Sequence, residues 1–152
     1  MSSGSWGISG YSLHAQGRIL FVKATSGASL TEAIKEALEA QDVKAAMILG
    51  IGGLRKAKLG FYNPKEARYE TLELAASEDE ILELASLTGN TVRGPDGKYY
   101  THLHAVIASS SNVWAGHLIE AEVDPLLEAV VIELTGGYER LSSLLSHRWS
   151  RV

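Results

Sequence analysis

One segment of this 152-residue chain has the periodicity of a long amphipathic helix, and the segments that follow it have the pattern of strands. Ser29 can cap that helix, and Glu32, three residues later, completes a capping box. Apolar side chains then recur at helical spacing at Leu30, Ala33, Ile34, Ala37 and Leu38. The pattern predicts a helix over Ser29–Gln41.

Strands are predicted on both sides of this helix. Arg18–Ala24 precedes it, and the nearly continuous apolar run Lys44–Gly50 suits a strand that is buried on both faces. Six more strands are predicted in chain order: Ala57–Tyr62, Arg68–Leu74, Glu80–Leu87, Tyr99–Ala108, Val113–Val123 and Glu128–Leu134. A short amphipathic piece around Leu141–Leu145 reads as helical. One main helix with many hairpin-linked strands indicates an α+β fold with a largely antiparallel sheet.

The length suits a single domain, and a hydrophobic content of 45% is enough for a packed core. Residues 1–16 are rich in glycine and serine, so we expect a flexible N-terminal arm there. Residues 17–140 are expected to form the folded domain, and residues 141–152 a C-terminal tail.

Composition excludes several classes of function. The chain has 14 lysine and arginine residues against 18 aspartate and glutamate residues, which argues against a protein that binds nucleic acid over its whole surface. It contains no cysteine, so disulfides and thiolate metal sites are excluded. The sequence has no apolar run long enough to cross a membrane and no signal-peptide pattern at its start, so a cytoplasmic location is expected.

Three of the five histidines fall in one predicted hairpin. His102 and His104 are two residues apart on a strand, so they share a face. If the turn is centred on Ser110–Ser111, paired residues have numbers that add to 221, and His104 lies opposite His117. An odd-membered turn would place His117 on the other face.

Three converging imidazoles suit zinc best, followed by other divalent transition metals. With three protein ligands, one position stays open for water or substrate, which is the pattern of catalytic sites. The competing interpretation is a polar strand face that holds no ion. His14 and His147 are interpreted as solvated surface residues.

Other residues are weaker candidates. The segment Gly50–Gly53 lacks the following helix that a dinucleotide-binding loop needs, so it is interpreted as a tight turn or as the close approach of another chain. Arg55, just beyond it, could line a pocket. Glu120 lies three residues after His117, so it reaches the histidine face only if a bulge intervenes, and a role beside the ligands is an alternative. Basic and aromatic residues of the tail, Arg148, Trp149 and Arg151, could stack on nucleic acid or dock on a neighbouring chain.

Several ordered motifs between Lys44 and Leu134 resemble the plants and prokaryotes conserved (PPC) domain family, especially its stand-alone archaeal and bacterial members. These motifs are Ile48–Leu54, Leu59–Tyr62, Leu84–Asn90, His102–His104, Gly116–Glu120 and Val131–Leu134. The family commonly has two glycines before the third histidine, whereas here Ala115 replaces the first. The resemblance implies a PPC-like α+β domain that assembles as a homotrimer.

In land plants this domain follows an AT-hook that supplies the DNA contact. The chain has no such hook and is net acidic, so direct DNA binding is doubtful and the implied role is assembly or partner binding. More distantly, the histidine motifs resemble acetolactate decarboxylase, a zinc enzyme. That likeness implies that His102, His104 and His117 hold the metal and that a small-molecule ligand could bind next to it, but it does not carry over the decarboxylase reaction.

Overall fold

The computed structural model describes residues 10–150, which form an antiparallel sheet with two helices. The strands and helices are β1 (Ala15–Thr25), α1 (Leu30–Ala40), β2 (Ala45–Asn63), β3 (Arg68–Ala75), β4 (Leu82–Arg93), β5 (Tyr99–Ala108), β6 (Val113–Thr135) and α2 (Tyr138–Leu144), followed by a 3-10 turn at Ser146–Arg148. The predicted α+β class with one main helix is confirmed.

The strands are hydrogen-bonded in the order β1-β6-β5-β4-β2-β3, and β2 also pairs with β6. All of these pairings are antiparallel. Strands β2, β4, β5 and β6 therefore close into a ring, while β1 and β3 extend the sheet from β6 and β2. Closure pairs most of these four strands on both sides, but residues 99–103 of β5 pair only with β4.

Helix α1 begins where the sequence predicts. The Ser29 hydroxyl accepts a hydrogen bond from the Glu32 amide at 3.4 Å, which satisfies one of the free amides of the first turn. The apolar stripe of the helix, formed by Leu30, Ile34 and Leu38, is at most 1% exposed. It packs toward β1 and β6, so the helix closes one side of the core.

The predicted break at Gly50–Gly53 is wrong, because β2 continues through these residues with a register shift. A Cβ on Gly52 would lie 2.4 Å from the carbonyl oxygen of Leu126. A Cβ on Gly53 would lie 2.3 Å from the carbonyl oxygen of Asp124. The two glycines therefore allow another backbone segment to lie close to β2, and that segment is β6 of the same chain.

The two predicted strands Val113–Val123 and Glu128–Leu134 are halves of the single strand β6. Pro125 lies between them, where the β2–β6 ladder shifts register between Gly52 and Leu54. A proline is tolerated at such a shift because no ladder hydrogen bond needs its missing amide proton. The strand predicted over Glu80–Leu87 likewise extends further, as β4.

Two rows of side chains cross the outer face of the sheet. One row runs Phe21, Val130, Leu49, Thr88, His104 and His117, and the next runs Ile19, Ile132, Met47, Asn90 and His102. Each row is apolar on β1, β6 and β2, polar on β4 and histidine-bearing beyond it. The opposite face packs the core, with Ile48, Leu87, Leu103 and Val131 at most 2% exposed.

None of the helices within residues 10–150 is long and apolar enough to cross a membrane. Residues 1–9 of the predicted arm and 151–152 of the predicted tail lie outside the described residues. Strand β1 begins at Ala15, and α2 ends at Leu144. The boundaries 1–16, 17–140 and 141–152 stay a prediction.

Candidate metal centre

The hairpin between β5 and β6 has the register that the sequence predicts. His104 lies opposite His117, and Ile107 lies opposite Trp114. At the turn, the Ser109 amide donates to the Asn112 carbonyl at 2.9 Å. The even-membered turn therefore puts His117 on the same face as His102 and His104.

The three imidazoles converge. One ring nitrogen from each of His102, His104 and His117 lies within 4.8 Å of the other two. The Nε2 atoms of His102 and His104 are 3.2 Å apart. An ion at about 2.0–2.1 Å from tetrahedral nitrogen ligands separates those nitrogens by about 3.4 Å, so this distance already matches that of a ligand pair.

His117 has a ring nitrogen that is available to bind a metal ion. Its Nδ1 atom is buried and has no hydrogen-bond partner among the described residues. A buried polar atom without a partner is costly, and metal coordination would remove that cost. The donor set of three imidazoles therefore fits a divalent transition metal.

Burial lowers the pKa of both His102 and His117, and repulsion between the clustered rings adds to the effect. Lowered pKa values favour the neutral imidazole, which is the form that binds metals. The environment of these two side chains therefore prepares them as ligands near neutral pH.

An aromatic side chain covers one flank of the cluster. The ring of Tyr69 lies 5.1 Å from that of His117, measured between centroids. Gly60 is the β2 partner of His117, and a Cβ there would lie 2.9 Å from Cδ1 of Tyr69. The glycine at position 60 thus leaves room for the tyrosine beside the histidine.

The bulge that Glu120 would need is present in β6. Gly60 pairs with His117 and Lys58 pairs with Glu120, so Ile119 is the extra residue in the ladder. The carboxylate oxygens of Glu120 nevertheless lie outside the group of nitrogens that gather within 4.8 Å. Instead, Glu120 lines a separate cavity of about 540 Å³ together with Lys56 and Lys58.

Arg55 lies further along β2. Its guanidinium is hydrogen-bonded to Asp124 and donates to the carbonyl of Ser77 at 3.3 Å. Arg55 therefore has a carboxylate partner of its own, and the structure does not bring it to the histidines. A pocket role for Arg55 and a supporting role for Glu120 stay predictions.

The two remaining histidines stand outside the cluster. His14 is half-buried and tied down, with Nδ1 2.8 Å from the carbonyl oxygen of Gly136. His147 is exposed, as its sequence context indicates. It lies near enough to His102 that its positive charge would contribute to lowering the pKa of that residue.

The C-terminal tail lies beside the histidine cluster, which the sequence patterns did not predict. Arg148 donates to Oδ1 of Asn90 at 2.7 Å, and Asn90 is the β4 partner of His102. Trp149 packs on Tyr100 of the same chain, with ring centroids 5.3 Å apart. The only signal for these residues was the mixture of basic and aromatic side chains near the end of the sequence.

The sequence and the fold match known proteins. Residues 11–135 match the Plants and Prokaryotes Conserved domain, abbreviated PCC or PPC. A metal-containing protein from Archaeoglobus fulgidus is 32% identical, with a TM-score of 0.75, and the match covers 84% of this chain and 86% of that one. A PPC protein from Pyrococcus horikoshii is 30% identical, with a TM-score of 0.74 and coverage of 82% and 83%.

Two further matches bear on the expectations from sequence. A candidate DNA-binding protein from Bacteroides thetaiotaomicron is 25% identical over 79% of this chain and 83% of that one, with a TM-score of 0.69. A Staphylococcus aureus protein of unknown function, similar to alpha-acetolactate decarboxylase, shares the fold at a TM-score of 0.52 and 12% identity, over 76% of this chain and 52% of that one. This likeness confirms the distant structural resemblance and concerns the fold alone.

Among curated proteins, none matches the sequence. The match over residues 11–135 covers most of the chain and includes all three clustered histidines. The strand order and the histidine hairpin described above lie within the same range. The chain belongs to the plants and prokaryotes conserved (PPC) domain family.

Proposed function

We propose that this PPC-domain protein binds a divalent transition metal, most favourably zinc, through His102, His104 and His117. The observation that carries the proposal is the convergence of three imidazole nitrogens within 4.8 Å on one sheet face. Support comes from the Nδ1 atom of His117, which has no hydrogen-bond partner in the part of the chain that the structure describes, and from the Archaeoglobus fulgidus relative, which is described as metal-containing.

We further propose that the site acts on a small oxygenated molecule. A metal held by three histidines supplies Lewis acidity, which polarises a carbonyl oxygen or lowers the pKa of water. The protein side chains provide the setting: His104 is exposed, so a ligand can reach it from solvent, while Tyr69 covers the His117 side.

Metal content decides the first proposal. We expect purified protein loaded with zinc and then dialysed to retain about one ion per chain, and the His104→Ala variant to retain far less. His14→Ala is the matched control, since it removes a histidine outside the cluster. Sub-stoichiometric metal that the His104→Ala substitution leaves unchanged would refute the site.

We also propose that the protein is a homotrimer, as the family resemblance implies. The apolar half of the outer face supports self-association, because Ile19, Phe21 and Ile51 are 60%, 65% and 55% exposed. Large exposed apolar patches of this kind mark interaction surfaces. The paired rows on β1, β6 and β2 make the patch continuous.

Sedimentation equilibrium tests this assembly. The proposal expects a particle of three times the 16.4 kDa chain mass for the unmodified protein and a smaller particle for Phe21→Asp. Asn112→Asp, in the exposed β5–β6 turn, adds the same charge away from the patch and serves as control. A monomer at micromolar concentration would overturn the proposal.

A non-enzymatic DNA-associated module is the second candidate, favoured by the Bacteroides thetaiotaomicron relative. Charge argues against direct contact: within residues 10–150, six basic side chains already pair with carboxylates, and the chain is net acidic. Any duplex binding would weaken steeply between about 50 and 200 mM salt. A gel-shift titration over that range is the test, and no shift at low salt would leave only partner binding.

A further inference from the structure

The C-terminal tail folds back over the end of the histidine strand and places an arginine there. Arg148 donates from Nη1 to the carbonyl oxygen of Tyr100 at 3.1 Å and from Nη2 to Oδ1 of Asn90 at 2.7 Å. Trp149 packs on the ring of Tyr100. These contacts fix the position of the guanidinium.

Both contacts of Arg148 adjoin His102. Tyr100 lies two residues before His102 on β5, and Asn90 lies opposite His102 on β4. Directly opposed residues in an antiparallel pair have Cβ atoms about 4.5–5.5 Å apart. The guanidinium is near enough that its charge contributes to the lowered pKa of His102, after burial and the charge of His117.

The charge of Arg148 is not balanced by the part of the chain that the structure describes. Four other arginines each pair with a carboxylate: Arg18, Arg55, Arg68 and Arg93. Among residues 10–150, both hydrogen-bond partners of Arg148 are neutral acceptors. Burial lowers the pKa of Arg148, and no carboxylate of the described residues opposes that change.

We propose that Arg148 binds a small oxyanion, a carboxylate or phosphate group, which it holds next to the three-histidine metal centre. The inference rests on the proposed metal site and adds the class of ligand that this site takes. Its basis is a half-buried guanidinium that no carboxylate among residues 10–150 neutralises and that is fixed beside a cluster that would itself carry a metal cation.

The chemistry of arginine suits this role. A guanidinium has five N–H donors, and the two hydrogen bonds to Tyr100 and Asn90 leave donors free. Its planar fork binds carboxylate and phosphate oxygens in pairs, with stronger hydrogen bonds than neutral donors make. Two adjacent positive centres would attract an anion and orient it.

This role differs from simple anchoring of the tail. If Arg148 only anchored the tail, its replacement would lower the melting temperature but would leave the anion affinity of the folded protein unchanged. An anion-binding arginine would change the affinity itself. The readout is therefore ligand affinity at a temperature well below unfolding.

The experiment uses the full chain loaded with Co²⁺, whose visible absorption responds to a change at the metal. Acetate and phosphate are titrated separately at constant ionic strength, and the metal content of each sample is measured. We expect one of the two anions to bind the unmodified protein at least tenfold more tightly than it binds the Arg148→Gln variant. Arg148→Lys, which keeps the charge but loses the fork, should fall in between.

Arg140→Gln is the matched control, because it removes the same charge from an exposed position on α2. Equal anion affinity in Arg148→Gln and the unmodified protein, both fully loaded, would overturn the inference and leave the metal proposal intact. If neither acetate nor phosphate binds the loaded, unmodified protein, the inference is also overturned. Failure to load Co²⁺ would instead refute the metal site. Comparing acetate with phosphate identifies which oxyanion group the site prefers.

Discussion

Gly89 of β4 lies so close to His102 of β5 that a Cβ on Gly89 would be 1.9 Å from the His102 carbonyl oxygen. This contact falls between the paired residues Thr88–His104 and Asn90–His102. Glycine at position 89 therefore sets how near β5 comes to β4 at the two histidines of one strand.

The Gly89→Ala variant should damage the metal centre without touching a ligand. The added methyl group forces β5 outward, and overpacking of this kind costs about 1–3 kcal/mol. We expect a lower melting temperature and about 10–100-fold weaker zinc binding, the range typical of residues that support metal ligands. Gly50→Ala is the comparison, because a Cβ at that position would lie 3.2 Å from its nearest neighbour, the carbonyl oxygen of Glu128. Equal zinc affinity in both variants would contradict the argument.

Metal removal should destabilise the protein. Consider a ligand that binds only the folded state. When its free concentration is a hundred times its dissociation constant, it adds about 2.7 kcal/mol to the free energy of unfolding. We expect zinc to raise the melting temperature of chelator-treated protein and to have little effect on His117→Ala. The measurement is the zinc-induced shift within each variant, so any change in basal stability cancels. A shift of the same size in His117→Ala would count against coordination by that residue.

Loss of a core contact in α1 should affect folding rather than metal binding. Ile34 is 1% exposed, and replacing a buried isoleucine with alanine costs about 2–5 kcal/mol. Chemical denaturation of Ile34→Ala should show this loss, while Glu36→Ala, at an exposed position of the same helix, should change stability little. Zinc stoichiometry of folded Ile34→Ala is expected to remain unchanged, and a selective loss of zinc would show that the helix supports the site.

Acid should weaken the contact between β1 and the end of β6. The guanidinium and amide of Arg18 donate to the Glu133 carboxylate at 2.8 and 3.0 Å and hold its pKa at about 2. The folded pKa is below the ordinary value of 4.5, so the stabilisation is complete above pH 4.5 and is lost as the pH falls toward 2.

The Glu133→Gln variant tests this assignment through its melting temperature. The variant should be less stable than the unmodified protein at pH 6, and the difference should shrink between pH 4.5 and pH 2. Glu139→Gln, an exposed substitution on α2, is the control and should show no such convergence. A difference that stays constant across the range would assign the effect to something other than the charge of Glu133.

The histidine hairpin could be predicted from sequence because its geometry is local. Strand side chains alternate with a period of two, and an even-membered turn at Ser110–Ser111 fixes which residues face each other. Those two facts are enough to place His104 opposite His117. The helix at Ser29–Gln41 could be predicted for the same reason, since its cap and its apolar stripe lie within one short segment.

The features that the sequence did not reveal depend on segments far apart in the chain. Strand β2 runs through Gly50–Gly53 only because β6 lies against it, and the bulge at Ile119 arises in that same pairing. The contact between Arg148 and Asn90 joins residues 58 positions apart. The spacing of residues within one segment carries no information about such contacts, so the position of the tail beside the histidine cluster could not be predicted from the pattern alone.

Thr88 and Asn90 have apolar neighbours on one side, Leu49 and Met47, and histidines on the other. A single strand therefore forms the common border of the surface that would join subunits and the surface that would hold the ion. A change of side-chain size at either position would be transmitted in both directions. The proposed subunit contact and the proposed ion site would thus be adjacent, and a substitution on this strand would alter both.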